Sequence, residues 1–131
     1  MQMLHVMTKH PETIGPDDML LKAKEIMDIG GFRRLTVVQD GQVIGILTER
    51  DLREHGGYLK STKVDVAMKT PVLTVDSHTS VEDAARMMLA KKIGGMPVVD
   101  AGKLVGIITT SDLLGAFLTV IESAQKILSH N

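Results

Sequence analysis

Two short stretches hold the residue types best able to do chemistry. Gly45-Ile46-Leu47-Thr48-Glu49-Arg50-Asp51 and Gly106-Ile107-Ile108-Thr109-Thr110-Ser111-Asp112 each present a glycine, then a hydroxyl, then a carboxylate three residues beyond the hydroxyl. If the threonine opens a helix, the carboxylate lies one turn along it. That arrangement suits a sugar phosphate: the helix start and hydroxyl favour an anion, the carboxylate accepts two hydrogen bonds from a ribose diol, and the glycine lets a ligand come close. The same residues also read as plain helix capping, Thr at the cap and Asp at N3, complete without any ligand. Taken singly, each stretch favours the cap. Recurrence shifts the balance toward a ligand, although duplication preserves a cap as readily.

Around the first stretch lie Arg33, Arg34, Arg50 and Arg53. Guanidinium matches phosphate bidentately, so the cluster favours a phosphorylated ligand over an uncharged nucleoside. The alternative is a solvated face of weak ion pairs. Catalysis finds no support. His5, His10, His55, His78 and His130 lack metal-ligand spacing, no Ser, Thr or Lys sits in a nucleophile motif, and the acids have no partnered base. The chain is read as non-enzymatic, with neither catalytic residues nor a metal site.

The elements that must position these stretches follow from an internal repeat. Residues 7–53 superimpose on 68–114 without a gap, with twelve identities: Met7/Met68, Thr13/Thr74, Ala23/Ala84, Met27/Met88, Val37/Val98, Val38/Val99, Gly41/Gly102, Gly45/Gly106, Ile46/Ile107, Thr48/Thr109, Asp51/Asp112 and Leu52/Leu113. Two such halves most simply pack about a pseudo-twofold axis and share a ligand in the cleft between them. Each copy reads β-α-β-β-α, an α/β (α+β) pattern. Thr13-Ile14 and Val72–Val75 are short extended segments. A helix then opens at Asp18 in copy one, and at Thr79 in copy two, where Thr79 with Glu82 forms a capping-box pattern. Leu20, Ala23 and Met27 share one helical face, as do Val81, Ala84, Ala85, Met88 and Leu89. Gly30-Gly31 and Gly94-Gly95 break the helices. Leu35–Val38 and Met96–Val99 are strands, joined through Asp40-Gly41 and Ala101-Gly102 turns to Val43–Leu47 and Leu104–Ile108. Thr48 and Thr109 start the second helices. Met3–Met7 and Val64–Met68 lead into the two copies, giving motifs at 1–62 and 63–131. Beyond Asp112 an apolar stripe (Leu113, Phe117, Val120, Ile121, Ala124, Ile127, Leu128) either covers the module's own core or meets another subunit.

Composition sets the outer limits. A chain of 131 residues suits one compact unit that buries roughly 65–70% of its unfolded surface, whereas either copy alone has a marginal core. Fifteen basic and sixteen acidic residues give a net charge of −1, which argues against nucleic acid as the main partner. There is no cysteine, hence no disulfide framework. No apolar run approaches the roughly 18 residues of a membrane span and no signal segment is visible, so no membrane partner and a cytoplasmic location are expected.

The β-α-β-β-α copies, Val66-Ala67-Met68 with Thr74-Val75, Met96-Pro97-Val98-Val99-Asp100 and the paired Gly-h-h-Thr-x-x-Asp stretches (h, apolar) resemble a tandem CBS domain pair, or Bateman module, over about residues 3–118. The resemblance implies a stand-alone sensor of an adenosine ligand (AMP, ADP, ATP or S-adenosylmethionine), no required cofactor, a homodimer, and an effector protein yet to be identified. It implies that Asp51 and Asp112 hold ribose hydroxyls, that Thr48 and Thr109 sit near ribose or phosphate, and that Thr13-Ile14 and Thr74-Val75 contact adenine. Arg33 and Arg34 are implied phosphate contacts; Arg50, Ser111, Met96 and Pro97 complete the ligand-binding set. The copies depart from each other at Arg33-Arg34/Gly94-Gly95, Arg50/Ser111 and Thr36/Pro97, so two unequal sites are expected. The competing expectation is a constitutive dimerisation scaffold whose caps are only caps.

Overall fold

A computed structural model describes residues 1–130. It contains two three-stranded sheets and six helices of one to five turns among the described residues, an α+β architecture. The elements run α1 (Met3–Val6), β1 (Thr8–Lys9), β2 (Thr13–Ile14), α2 (Leu20–Gly30), β3 (Arg34–Gln39), β4 (Gln42–Thr48), α3 (Glu49–Glu54), α4 (Val64–Ala67), α5 (Val81–Lys91), β5 (Gly95–Asp100), β6 (Lys103–Thr109) and α6 (Thr110–Ser129). The expected β-α-β-β-α order is present in copy one. In copy two the first strand shrinks to a single parallel bridge, Val75 to Val98.

Two compact units form, and they interleave the repeats. The first comprises His10–Leu73 with the hairpin tip Asp100–Leu104; the second comprises Met1–Lys9, Thr74–Val99 and the chain from Val105 onward. Each unit therefore takes its lead-in segment from the other copy. In the first unit β2 runs parallel to β3, β3 antiparallel to β4, and Lys69 bridges Ile46 beyond β4. In the second unit the order is β1-β6-β5, and Thr8 of β1 lies opposite Ile107. Thr8 and Lys69 are matching positions of the repeat, as are Ile107 and Ile46.

Periodicity explains both cores. Leu20, Ala23 and Met27 on α2 meet Leu35, Val37 and Leu47 from the strands, closed by Val64 and Ala67 of α4. Ala84 and Met88 of α5 meet Met96, Val98 and Ile108, closed by Met3 and Met7. Burying an aliphatic side chain stabilises by about 1.5–3 kcal/mol, so the borrowed lead-ins contribute strongly to each small core. Hairpin turns form as the sequence predicts. Asp40 and Gly41 (φ 52° and 78°) and Ala101 and Gly102 (φ 49° and 79°) all take positive φ, the two-residue turn whose twist matches the strands.

The helix boundaries differ from expectation. Asp18 and Thr79 do not cap helices; their side chains accept hydrogen bonds from the Gly15 and Asp76 amides and close the preceding turns. The α5 cap falls one residue later, where Ser80 accepts from the Asp83 amide. Gly31 ends α2 in the left-handed conformation, but Lys92 does so for α5, ahead of Gly94-Gly95. Capping is decided by which oxygen the fold aims at the free amides, and neighbouring Asp, Ser and Thr compete for that role.

Candidate functional site

Thr48 and Thr109 are the N-caps of α3 and α6, and both capping boxes are complete. In the first unit Asp51 Oδ2 accepts from the Thr48 amide (2.8 Å) and hydroxyl (3.0 Å). In the second, Asp112 Oδ2 accepts from the Thr109 amide (2.9 Å) and hydroxyl (3.0 Å). Each carboxylate thus has one oxygen committed to the cap and one facing elsewhere. The second oxygens differ. Asp51 Oδ1 pairs with Lys69 Nζ at 3.1 Å, whereas Asp112 Oδ1 accepts from the Thr8 hydroxyl at 3.0 Å. Asp51 is 1% exposed; Asp112 is only partly buried.

The glycines of these stretches have a packing role. A methyl group at Gly106 would lie 2.6 Å from Met7 Sδ and 2.9 Å from the Thr8 carbonyl oxygen, and one at Gly45 would collide with Met68. The borrowed lead-ins fill that space, leaving no room for a side chain.

Arg34 opens β3 opposite Thr48, and the Arg33 carbonyl accepts from the Glu49 amide at 2.9 Å, so the arginine pair abuts the strand–helix junction of the first unit. Arg34 is half-buried without an acidic partner among the described residues. Burial, and then the Arg33 charge, hold its guanidinium below the usual arginine range. Arg33 instead lines a 560 Å³ depression with Lys24, Glu49 and Arg53. Arg50 is exposed, 3.8 Å from Glu54, and Arg53 pairs with Glu49. Those two form the solvated ion pairs weighed as the alternative.

Thr13 and Thr36 face each other across β2 and β3. Thr36, fully buried, has no hydrogen-bond partner for Oγ1 among the described residues, an omission that costs about 1–3 kcal/mol. Pro97, its counterpart, brings no such donor. Ile14, Val75 and Met96 are core side chains, and Ser111 is exposed. Thr74 and Val75 border a 390 Å³ recess with Asp76, Thr79, Met87 and Val99. A further cavity, 610 Å³, lies away from the expected residues, along α5 and α6. Sequence reasoning missed Thr8 and Lys69. The available signal was the mismatch at this position, directly after the matched Met7 and Met68.

The CBS domain family model matches residues 4–57 and again 63–119. The chain belongs to the CBS domain family. A CBS domain-containing protein of Dictyostelium discoideum is 34% identical over 132 residues, covering 89% of this chain and 91% of its own. The structure of CBSX2 in complex with AMP matches with a TM-score of 0.83 at 29% identity, covering 91% of this chain and 97% of CBSX2. The CBS domain pair of protein MJ0100, in complex with 5′-methylthioadenosine and S-adenosyl-L-methionine, matches with a TM-score of 0.82 at 25% identity, covering 89% and 95%. Tandem CBS motifs thus account for the internal repeat. Among the described residues no helix is long and apolar enough to cross a membrane, and no cluster of His, Cys, Asp or Glu has metal-site geometry.

Proposed function

We propose that this CBS pair is a regulatory module that binds an adenosine ligand of the AMP, ADP, ATP or S-adenosylmethionine kind and performs no catalysis. The observation that carries the reading is Arg34, a half-buried guanidinium without an acidic partner among the described residues, aligned with Thr48 beside the capping box. A half-buried cation without a counter-ion carries a desolvation cost, and a phosphate supplies both charge and bidentate geometry. The unpaired Thr36 hydroxyl adds a second open valence in the same unit. Ligand binding acts by population shift: a tenfold preference for one arrangement moves the equilibrium by about 1.4 kcal/mol. An effector protein in the cytoplasm reads the change. The test is thermal melting with and without millimolar nucleotide, where ligand at 100 times its dissociation constant adds about 2.7 kcal/mol of stability. No shift with any of the four ligands rejects the reading.

A second reading, a constitutive scaffold, is favoured by the caps, which are complete without ligand. Both readings share a homodimer. Past its first turn, α6 exposes Leu114, Phe117, Leu118 and Val120 rather than covering the core, and its 610 Å³ groove with α5 is apolar. A second copy of this apolar face would cover it. Phe117→Glu is expected to turn the dimer into a monomer in sedimentation equilibrium at micromolar concentration. A wild type that is itself monomeric rejects the assignment.

A further inference from the structure

The two carboxylates assigned to ribose occupy matching places in the repeat, but their remaining oxygens face different partners. Thr8 and Lys69 are equivalent positions, each bridging the equivalent isoleucine of its own unit, Ile107 or Ile46. The pairing register is therefore shared, and the side chain differs. At Asp112 the partner is a neutral hydroxyl, which can turn away and itself hydrogen-bond to a sugar. At Asp51 it is an ammonium at 3.1 Å, on a carboxylate whose other oxygen already holds two hydrogen bonds. An ammonium satisfies the same lone pairs that a ribose diol would use, and it does so from within the chain.

We infer that Lys69 is an intramolecular latch on Asp51, a built-in competitor that makes the two ribose anchors unequal, so that nucleotide occupies the Asp112 anchor at lower concentration than the Asp51 anchor. This rests on the adenosine-ligand reading above. Two features make the latch releasable. Its side chain is 63% exposed, so a displaced ammonium rehydrates freely; the buried carboxylate, 2% exposed, does not, and must receive a replacement donor. Hydroxyls of a ribose are such donors. A ligand therefore has to exchange one charge-assisted hydrogen bond for another at Asp51, while at Asp112 it displaces only a neutral one.

The test is isothermal titration calorimetry of the full chain with AMP. In an Asp112→Ala background, which leaves Asp51 as the ribose anchor, Lys69→Thr installs the partner that Asp112 naturally has. Affinity is expected to rise about tenfold, the scale of one charge-assisted contact. The reciprocal Thr8→Lys change in the wild type is expected to weaken the tighter site by a similar factor. Lys69 is exposed and threonine is native at the matching position, so folding should persist; melting checks it. Residual affinity that is unchanged in Lys69→Thr overturns the latch. A loss of affinity also overturns it, because Lys69 then holds the ligand instead of excluding it. If the wild type binds none of AMP, ADP, ATP or S-adenosylmethionine, the adenosine reading falls and the latch with it, whereas AMP binding that ignores Lys69 sinks the latch alone.

Discussion

Asp112→Ala is expected to weaken nucleotide binding about 10–100-fold, the worth of a charge-assisted hydrogen bond of about 1.5–3 kcal/mol. Asp112 is the more accessible of the two carboxylates, and its Oδ1 accepts from the Thr8 hydroxyl. Losing it also removes half of the α6 capping box, a stability cost of about 1 kcal/mol. Binding must therefore be measured well below the melting transition, with circular dichroism reporting that the variant is folded. Affinity equal to wild type in a folded Asp112→Ala protein would reject the ribose assignment.

The second large effect is on stability. Asp51→Ala deletes a buried carboxylate that serves the Thr48 amide, the Thr48 hydroxyl and Lys69 at once. Lys69 is mostly exposed and rehydrates, so the ion pair itself accounts for little. What remains is the loss of half of the α3 capping box and a part-buried Thr48 amide left without its acceptor, together about 2–3 kcal/mol. In a chain of this size that lowers Tm by roughly 6–12 °C. Asp51→Asn, which keeps an acceptor oxygen for the cap, should recover most of the loss. Urea denaturation measures both; an Asp51→Ala midpoint within about 0.5 kcal/mol of wild type would show that the carboxylate is not part of the fold's support. The contrast between the two aspartates is one of burial and partner, although each stands three residues after a capping threonine.

That contrast also marks how much was legible beforehand. The β-α-β-β-α order, both hairpin turns and both second-helix caps could be read because each depends on neighbours a few residues away: positive φ at Asp40-Gly41, a threonine oxygen within reach of the amide three residues on. Misplaced features were those where several local solutions compete. Asp18 and Thr79 could have capped a helix or closed a turn, and the turn won in both copies. Lys92 ends α5 in a left-handed conformation that a reading based on glycine assigns to Gly94-Gly95. The C-terminal stripe could have faced either way, and its outward direction depends on what the core leaves uncovered.

By itself the sequence determined that two copies of one motif exist, that each places a threonine and an aspartate at a helix start, and that arginines attend only the first. Tertiary structure decided which segment completes which unit. Met3 and Met7 join the copy-two core and Val64 and Ala67 the copy-one core, with Met7 lying against Gly106 and Met68 against Gly45. The pairing of Lys69 with Asp51 and of Thr8 with Asp112 follows from that exchange. These contacts span 18 and 104 positions along the chain, beyond the reach of any local pattern, and they distinguish two carboxylates that the repeat makes look alike.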